Sequence, residues 1–100
     1  MPEPTLYVTA RFACHPPAVE ETIRTLDALA HETRRESGCL DYGYFQSIED
    51  PTRFTSLEAW SSAAAEAAHW ETDHLKSALA QLGSCLDGDA RVTKFNEIPE

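Results

Sequence analysis

Residues 54–74 read FTSLEAWSSAAAEAAHWETDH, and they are more informative about fold and chemistry than the rest of the chain. Its first part predicts a short strand, in which Phe54, Glu58 and Trp60 occupy even positions and therefore share one face. An Ala-rich helix follows and ends near His69, and a second helix starts a few residues later. A carboxylate, two imidazoles and two indoles thus lie close together in the sequence. This combination favours a pocket that binds a flat organic molecule and moves its protons.

The flanking sequence predicts the other elements of the fold. Alternating apolar residues and turn signals predict strands at Leu6–Phe12, Leu40–Ser47, Arg53–Trp60 and Arg91–Ile98. The order is strand, helix, two strands, helices and strand, which is the ferredoxin-like βαββαβ order. We therefore predict a single α+β domain over residues 1–100, with an antiparallel sheet covered by helices on one face.

The first helix is predicted from apolar residues at three- and four-residue spacing. Its apolar stripe consists of Val19, Ile23, Leu26, Ala30 and Thr33, with Leu29 beside it. The pattern predicts about five turns that begin at Ala18 and end at Gly38, because glycine is the usual residue at a helix C-terminus. Ser61 or Ser62 is expected to cap the Ala-rich helix, and Thr72 the helix after it.

Both faces of the predicted sheet carry bulky residues. Tyr42 and Tyr44 lie on one face of the second strand and Phe45 on the other, while Leu57 lies opposite Phe54 in the third strand. The predicted helices are enough to cover only one face. The second apolar face therefore needs another cover.

The composition excludes several classes of function. The 100 residues include 17 acidic and 8 basic residues, for a formal net charge of −9. This balance opposes binding to nucleic acid or to an anionic membrane. No apolar run approaches the length of a membrane span, and the N-terminus lacks the features of a signal peptide, so we expect a cytoplasmic protein. The three cysteines, Cys14, Cys39 and Cys85, form no C-x-x-C pair and are expected to be reduced, with Cys39 a small core residue.

Three polar residues are the candidates for acid–base chemistry: Glu58, His69 and His74. Glu58 lies in mid-strand within an apolar layer, where it either satisfies buried donors or orients a histidine and takes a proton. Histidine titrates near neutrality and suits proton abstraction from a phenol. The alternative for each histidine is a structural role, in a turn or in a hydrogen bond to Glu58.

The aromatic residues are expected to form the core and part of a pocket wall for an aromatic substrate. These candidate substrate-contacting residues are Phe12, Tyr42, Tyr44, Trp60 and Trp70. The chain has no G-x-G-x-x-G sequence or P-loop, and hence no signal for a nucleotide cofactor. His69 and His74 are five residues apart, which is not the i, i+4 spacing of two metal ligands on one helical face. We therefore expect neither a cofactor nor a metal.

The run F-x-x-x-E-x-W, the Ala-rich helix and the two histidines resemble the antibiotic biosynthesis monooxygenase family. GCLDY at residues 38–42 and DPTR at residues 50–53 are also similar to the family. The similar region extends roughly from Leu6 to Phe95. It is more specific for the fold than for the reaction, because related proteins include isomerases.

This resemblance implies a homodimer in which two sheets pack face to face as a dimeric α+β barrel. It also implies a cofactor-independent monooxygenase that oxidises a small aromatic phenol or quinol with dioxygen, with Glu58, His69 and His74 as polar site residues. An isomerase of a small hydroxyketone-like metabolite and a non-catalytic binding module are the alternatives. Haem-degrading relatives use an asparagine in the first strand, whereas the only asparagine here is Asn96 in the last strand, so haem breakdown is not expected.

Overall fold

The computed structural model describes residues 3–99, which contain four strands and three α-helices. The strands are β1 (Leu6–Ala13), β2 (Cys39–Gln46), β3 (Arg53–Trp60) and β4 (Arg91–Phe95). The helices are α1 (Val19–Thr33), α2 (Ala63–His69) and α3 (Asp73–Leu82). All neighbouring strands are antiparallel, and the sheet order is β2-β3-β1-β4. This confirms the predicted ferredoxin-like fold with helices on one face of the sheet.

Strand β3 lies at the centre of the structure, between β1 and β2. Its even-numbered residues are buried and face the helices, as the alternation predicts: Phe54, Ser56, Glu58 and Trp60. Glu58 is the register partner of Val8 on one side and of Tyr42 on the other. The carboxylate is therefore fixed in the middle of the helix-covered face of the sheet.

The short helices begin where the sequence predicts. The Ser62 side chain accepts a hydrogen bond from the Ala65 N–H at the start of α2, and the Thr72 side chain accepts one from the Leu75 N–H at the start of α3. Helix α3 ends at Leu82, and Gly83 is its C-terminal cap. No helix within residues 3–99 combines the length and the apolar character needed to cross a membrane.

Two predicted element ends are wrong. Helix α1 ends at Thr33, well before Gly38, and Gly38 does not adopt the left-handed conformation that favours glycine at a helix end. Gly38 is needed for space instead, because a Cβ there would overlap the Cβ of Ala65 in α2. Strand β4 ends at Phe95, the partner of Tyr7, because β1 offers almost no strand beyond that pair.

The apolar stripe predicted for α1 is also partly wrong. Ile23 is 41% exposed, whereas Thr22 and Thr25 are buried. The reason is that α1 packs against α3 as well as against the sheet. Thr25 donates a hydrogen bond to Gln81, and Leu29 joins a buried cluster with residues of α3. The buried face of α1 is therefore broader than, and rotated from, the stripe that the sequence indicates.

The sheet face opposite the helices is the open sheet face, defined here by four exposed apolar side chains: Tyr7, Phe45, Leu57 and Phe95. They come from all four strands, and no helix in residues 3–99 covers them. A cleft of about 520 Å³ lies at one end of this face, where it is bordered by Arg11, Arg53 and Arg91. The expected mixture of apolar residues on both faces of the sheet is therefore present.

We predict that Gly38→Ala destabilises the protein by about 1–3 kcal/mol, because the new methyl group overpacks the contact with α2. The matched control is Gly83→Ala, since Gly83 has right-handed helical backbone angles and room for a methyl group. The control should unfold at the same urea concentration as the parent or a higher one. Equal stability of both variants would show that α2 leaves room for a methyl group at position 38.

Candidate functional site

A small cavity lies between the helix-covered face of the sheet and helices α1 and α3. Its volume is about 70 Å³, and most of its wall is aliphatic or aromatic. Four side chains supply its polar groups: Tyr42, Tyr44, Glu58 and His69. An apolar pocket with a few converging polar groups is typical of a small-molecule site.

Glu58 supplies the carboxyl group of this site and is only 9% exposed. Its Oε1 accepts a hydrogen bond from the Trp60 indole N–H at 3.0 Å, and its Oε2 accepts one from the Ser56 hydroxyl at 2.6 Å. Burial raises the pKa of Glu58, while these two hydrogen bonds and nearby His69 lower it; the rise prevails. Glu58 is therefore a carboxyl group that takes up a proton more readily than an exposed one.

Ser56 connects Glu58 to the backbone of the neighbouring strand. The Ser56 hydroxyl oxygen accepts the Ala10 N–H at 2.8 Å while it donates its own proton to Glu58. Each polar atom in this chain of hydrogen bonds has a partner, which is what burial in an apolar layer requires. The even spacing of Ser56 and Glu58 in β3 is a signal for this contact that the sequence prediction missed.

The two histidines meet at a third residue, Glu36, which lies in the turn between α1 and β2. Glu36 Oε2 is 2.7 Å from His69 Nδ1 and 2.7 Å from His74 Nε2. An ionised carboxylate only accepts hydrogen bonds, so both of these ring nitrogens carry the proton. In a neutral imidazole the other nitrogen is then a bare acceptor. The sequence gives no signal for Glu36, because 33 and 38 residues separate it from its partners.

His69 lies between Glu36 and the cavity. Its ring is buried against Trp60, at a centroid distance of 4.8 Å, and against Tyr42, at 5.3 Å. His69 lines the cavity, and no group within residues 3–99 forms a hydrogen bond with its Nε2. This nitrogen is thus available to a molecule in the cavity.

Tyr42 and Tyr44 form a pair of hydroxyl groups in the cavity wall, with their oxygens 2.6 Å apart. Burial raises the pKa of Tyr42 well above its ordinary value and raises the pKa of Tyr44 to about 12. Both phenols are therefore protonated at neutral pH. One proton lies between the two oxygens, and the second can be donated to an oxygen atom of a ligand.

A second buried carboxylate, Glu66, fixes Trp70 at the edge of the cavity. Its Oε2 accepts the Trp70 indole N–H at 2.7 Å, and its Oε1 is 3.2 Å from the Lys94 ammonium group. Glu66 comes from the Ala-rich stretch that the sequence indicated only as a helix. The contact ties α2 to strand β4 and orients the indole toward the site.

The structure brings only some of the predicted site residues to the cavity. Of the predicted catalytic residues, Glu58 and His69 line it, whereas His74 stands behind His69 and reaches it only through Glu36. Among the predicted substrate-contacting residues, those that line the cavity are Phe12, Tyr42, Tyr44 and Trp70. Trp60 is fully buried beneath His69 and does not line it.

The cysteines lie outside this arrangement. All three are free, and Cys14 and Cys85 are buried. Burial, together with the nearby carboxylates of Glu36, Asp41 and Glu58, raises the pKa of the Cys39 thiol. A raised pKa disfavours the thiolate, and this agrees with the prediction of a core residue rather than a nucleophile.

Comparison with known proteins agrees with the fold. A family model described as antibiotic biosynthesis monooxygenase matches residues 5–81. The chain belongs to the antibiotic biosynthesis monooxygenase family. This confirms the resemblance that the sequence motifs indicated, and it supports a general monooxygenase-like function. No curated protein gives a significant match.

Solved structures of this family's fold match nearly the whole chain. A conserved protein from Methanosarcina mazei Go1 is 30% identical, with a TM-score of 0.90 over 95% of this chain and 94% of that chain. Rv0793 from Mycobacterium tuberculosis is 29% identical, with a TM-score of 0.88 over 96% and 97% of the two chains. A structure described as an antibiotic biosynthesis monooxygenase is 28% identical, with a TM-score of 0.90 over 94% and 99%.

We predict that two substitutions of Glu58 differ in their effect on stability. Glu58→Leu leaves the Trp60 N–H and the Ser56 hydroxyl without their acceptor, and it should cost about 1–3 kcal/mol of stability. Glu58→Gln keeps the shape and one acceptor, so the variant should fold. Urea unfolding followed by circular dichroism measures both effects, with the exposed Glu49→Gln as control.

The stability difference between Glu58→Gln and the parent should change with pH in a definite direction. Since the folded-state pKa of Glu58 is raised, its contribution to stability is greatest below its ordinary pKa and is lost as the pH rises through the folded-state value. Relative to the parent, Glu58→Gln should therefore gain stability as the pH rises from about 4, near the ordinary pKa of a glutamic acid, toward neutrality. A constant difference across this range would mean that Glu58 does not titrate with a raised pKa.

Proposed function

We propose that this protein is a cofactor-independent monooxygenase that oxidises a small phenol or quinol with dioxygen, with His69 as the general base. The observation that carries the proposal is the orientation of His69. Glu36 holds the proton on Nδ1, and Nε2 has no partner in residues 3–99 while the ring lines an apolar cavity. This is the tautomer that accepts a proton from a phenolic hydroxyl.

The proton transfer is favoured by the second contact of Glu36. When His69 takes a proton at Nε2, it becomes an imidazolium whose Nδ1–H still points at the carboxylate, 2.7 Å away. The negative charge of Glu36 stabilises the new positive charge. His74 Nε2 donates to the same oxygen and keeps the carboxylate in place. In this role His74 is a positioning residue and touches no substrate.

The tyrosine pair supplies a site for the substrate oxygen. The hydroxyl proton not shared between Tyr42 and Tyr44 can be donated to a phenolate or a quinone carbonyl. Because both phenols stay protonated at neutral pH, they stabilise the substrate anion rather than compete with His69 for its proton. The electron-rich anion is the only reductant of the dioxygen. One oxygen atom forms a new bond to a substrate carbon, the O–O bond breaks, and the other oxygen leaves as water with two hydrogens of the substrate, so that a quinol becomes a hydroxyquinone.

Substrate entry requires the cavity to expand, because about 70 Å³ is less than the roughly 150 Å³ that holds benzene in an engineered cavity. The wall between α3 and β4 is the side that can open. Trp70, Leu79 and Val92 line the cavity there and are each 38–47% exposed. Helix α3 packs chiefly on α1, so an outward movement of its exposed side breaks few other contacts.

We predict that oxygen uptake with a quinol or a polycyclic phenol needs no added flavin or metal and continues in the presence of a chelator. His69→Ala should lower the rate by about 10²–10⁴-fold, because it removes the general base. His74→Ala and Glu36→Gln should lower it by about 10-fold to 100-fold, since they only loosen the tautomer and position of His69. The measurement is oxygen consumption by an electrode with a panel of such substrates.

The exposed His31→Ala is the matched control and should retain the parent rate. An unchanged rate of oxygen uptake in His69→Ala would refute the role of His69 as the general base. Saturable ligand binding without any oxygen uptake would favour a binding module, and exchange of a proton next to a substrate carbonyl would favour an isomerase.

We also propose that the protein is a homodimer whose subunits pack through the open sheet face. Support comes from Tyr7, Phe45, Leu57 and Phe95, one from each strand, which leave an apolar surface in contact with water. A second copy of the chain would cover it, and an obligate interface of this kind buries on the order of 2,000 Å² or more.

Leu57→Lys should dissociate this dimer, because it places a charge at the centre of the apolar interface. We expect the dissociation constant to rise by about 100-fold or more, equivalent to about 2.7 kcal/mol. Sedimentation velocity across a concentration series measures the change. Ile23→Lys, on the outer side of α1 with a similar exposure, is the control and should leave the dimer intact. A well-folded parent monomer at micromolar concentration would contradict the dimer.

A further inference from the structure

The cluster behind the cavity has the composition of a metal site. Glu36, His69 and His74 each offer one ligand atom, and these three atoms all lie within 4.8 Å of one another. Two imidazoles and one carboxylate form the ligand set of zinc hydrolases and of mononuclear iron oxygenases. The acidic balance of the chain, with a formal net charge of −9, also favours the approach of a cation.

We propose that this cluster is a reversible site for a divalent first-row transition-metal ion such as Zn²⁺, and that the bound ion inhibits the protein by reversing the tautomer of His69. The inhibitory part rests on the proposed role of His69 as the base. The binding part rests on the ligand geometry alone.

The ligand atoms are close enough for one ion to join them after a local movement. Glu36 Oε2 is 2.7 Å from His69 Nδ1 and 2.7 Å from His74 Nε2, and the three atoms all lie within 4.8 Å of one another. Nitrogen and oxygen ligands lie about 2.0–2.2 Å from Zn²⁺, so two ligand atoms of a tetrahedral ion are about 3.3–3.6 Å apart. Glu36 Oε2 therefore moves roughly 0.6–0.9 Å away from each nitrogen when an ion takes the place of the two shared protons.

The three ligands come from three different elements, which holds them together before an ion arrives. Glu36 lies in the turn after α1, His69 is the last residue of α2, and His74 is in the first turn of α3. The break between α2 and α3 explains why a spacing of five residues, which does not suit one continuous helix, still brings two imidazoles to one oxygen.

The cluster is accessible from one side. The His69 side chain is 4% exposed, whereas those of Glu36 and His74 are 15% and 25% exposed. An ion can therefore enter beside His74, and water can complete its coordination. Within residues 3–99 no hydrogen bond supports His69 Nε2 or His74 Nδ1. Each missing outer partner typically weakens metal affinity by about 10–100-fold, so the site should release its ion readily.

The ion and the catalytic tautomer exclude each other. A metal bound to His69 Nδ1 takes the lone pair of that nitrogen, so the proton of the neutral ring must move to Nε2. Nε2 is the nitrogen that the substrate needs bare. Each neutral imidazole moves its proton within its own ring, so binding leaves the proton count unchanged. The bound ion thus converts the base into a donor and stops proton abstraction.

The test begins with binding. Chelator-treated protein is titrated with Zn²⁺ against a chromophoric chelator, and we expect one saturable site per chain. His74→Ala and Glu36→Gln should each weaken it by about tenfold or more, whereas the exposed His31→Ala should not change it. His74→Ala is the most informative variant, because His74 lies outside the cavity and its loss should not disturb folding. No saturable site, or equal affinity in all variants, would overturn the proposal.

Nitrogen-15 spectra of the imidazoles provide a readout that does not depend on turnover. Without metal His69 should carry its proton on Nδ1, and with Zn²⁺ on Nε2. A proton that stays on Nδ1 in the zinc-loaded protein would overturn the tautomer switch. Zn²⁺ should also inhibit oxygen uptake in the parent, with a half-inhibition concentration about tenfold or more higher in His74→Ala. Faster oxygen uptake in the presence of Zn²⁺ would overturn the proposed inhibition. If the protein takes up no oxygen with any substrate, the proposed function is refuted, but the binding and tautomer results remain valid.

Discussion

One carboxylate oxygen, Glu36 Oε2, organises the site. It accepts the N–H groups of His69 and His74, and so joins the turn after α1 to the end of α2 and the start of α3. The two short helices have few other polar links to the rest of the chain. Because a carboxylate accepts but does not donate, this contact also decides which nitrogen of each imidazole is protonated. The chemistry available at the cavity follows from that assignment.

Three carboxylates near the site are largely buried, and each has a different solution to the cost of desolvation. Glu36 meets two imidazoles and Glu66 meets an ammonium group and an indole N–H. Glu58 has only two neutral donors, and its pKa rises. The two neutral hydrogen bonds at Glu58 offset only part of its desolvation cost, whereas the Lys94 ammonium group beside Glu66 carries a formal charge and offsets more of that cost. Glu58 therefore takes up a proton more readily than an exposed carboxyl group.

The cavity lies between a firmly held sheet and a more loosely packed helix. In the sheet, Tyr42, Glu58 and Trp60 are fixed by strand pairing and mutual contacts. Helix α3 packs mainly on α1, and its Leu79 is half exposed. A rigid base with a movable cover allows the polar groups to keep their geometry while the cavity opens for a ligand. The covered sheet face serves the site, and the open sheet face remains available to a second copy.

Local sequence patterns were sufficient to predict the element order, the burial of alternate residues in β3, the caps at Ser62 and Thr72, and the family. These features depend on local periodicity and on residues close in sequence, so one amino-acid sequence is enough to predict them. The sequence prediction was wrong where packing decides: Gly38 serves the close approach of α2, and Thr22 rather than Ile23 is buried because α1 packs on α3 as well.

The site was predictable only in part. Glu58 and His69 were indicated by charged or titratable groups in an apolar context, and the structure places both at one cavity. Glu36, Ser56 and Glu66 were missed, and His74 was placed with the substrate although it stands behind His69. These contacts depend on the packing of the helices on the sheet. The hydrogen bonds of Glu36 span 33 and 38 residues, and no local pattern indicates which residues meet across such a separation.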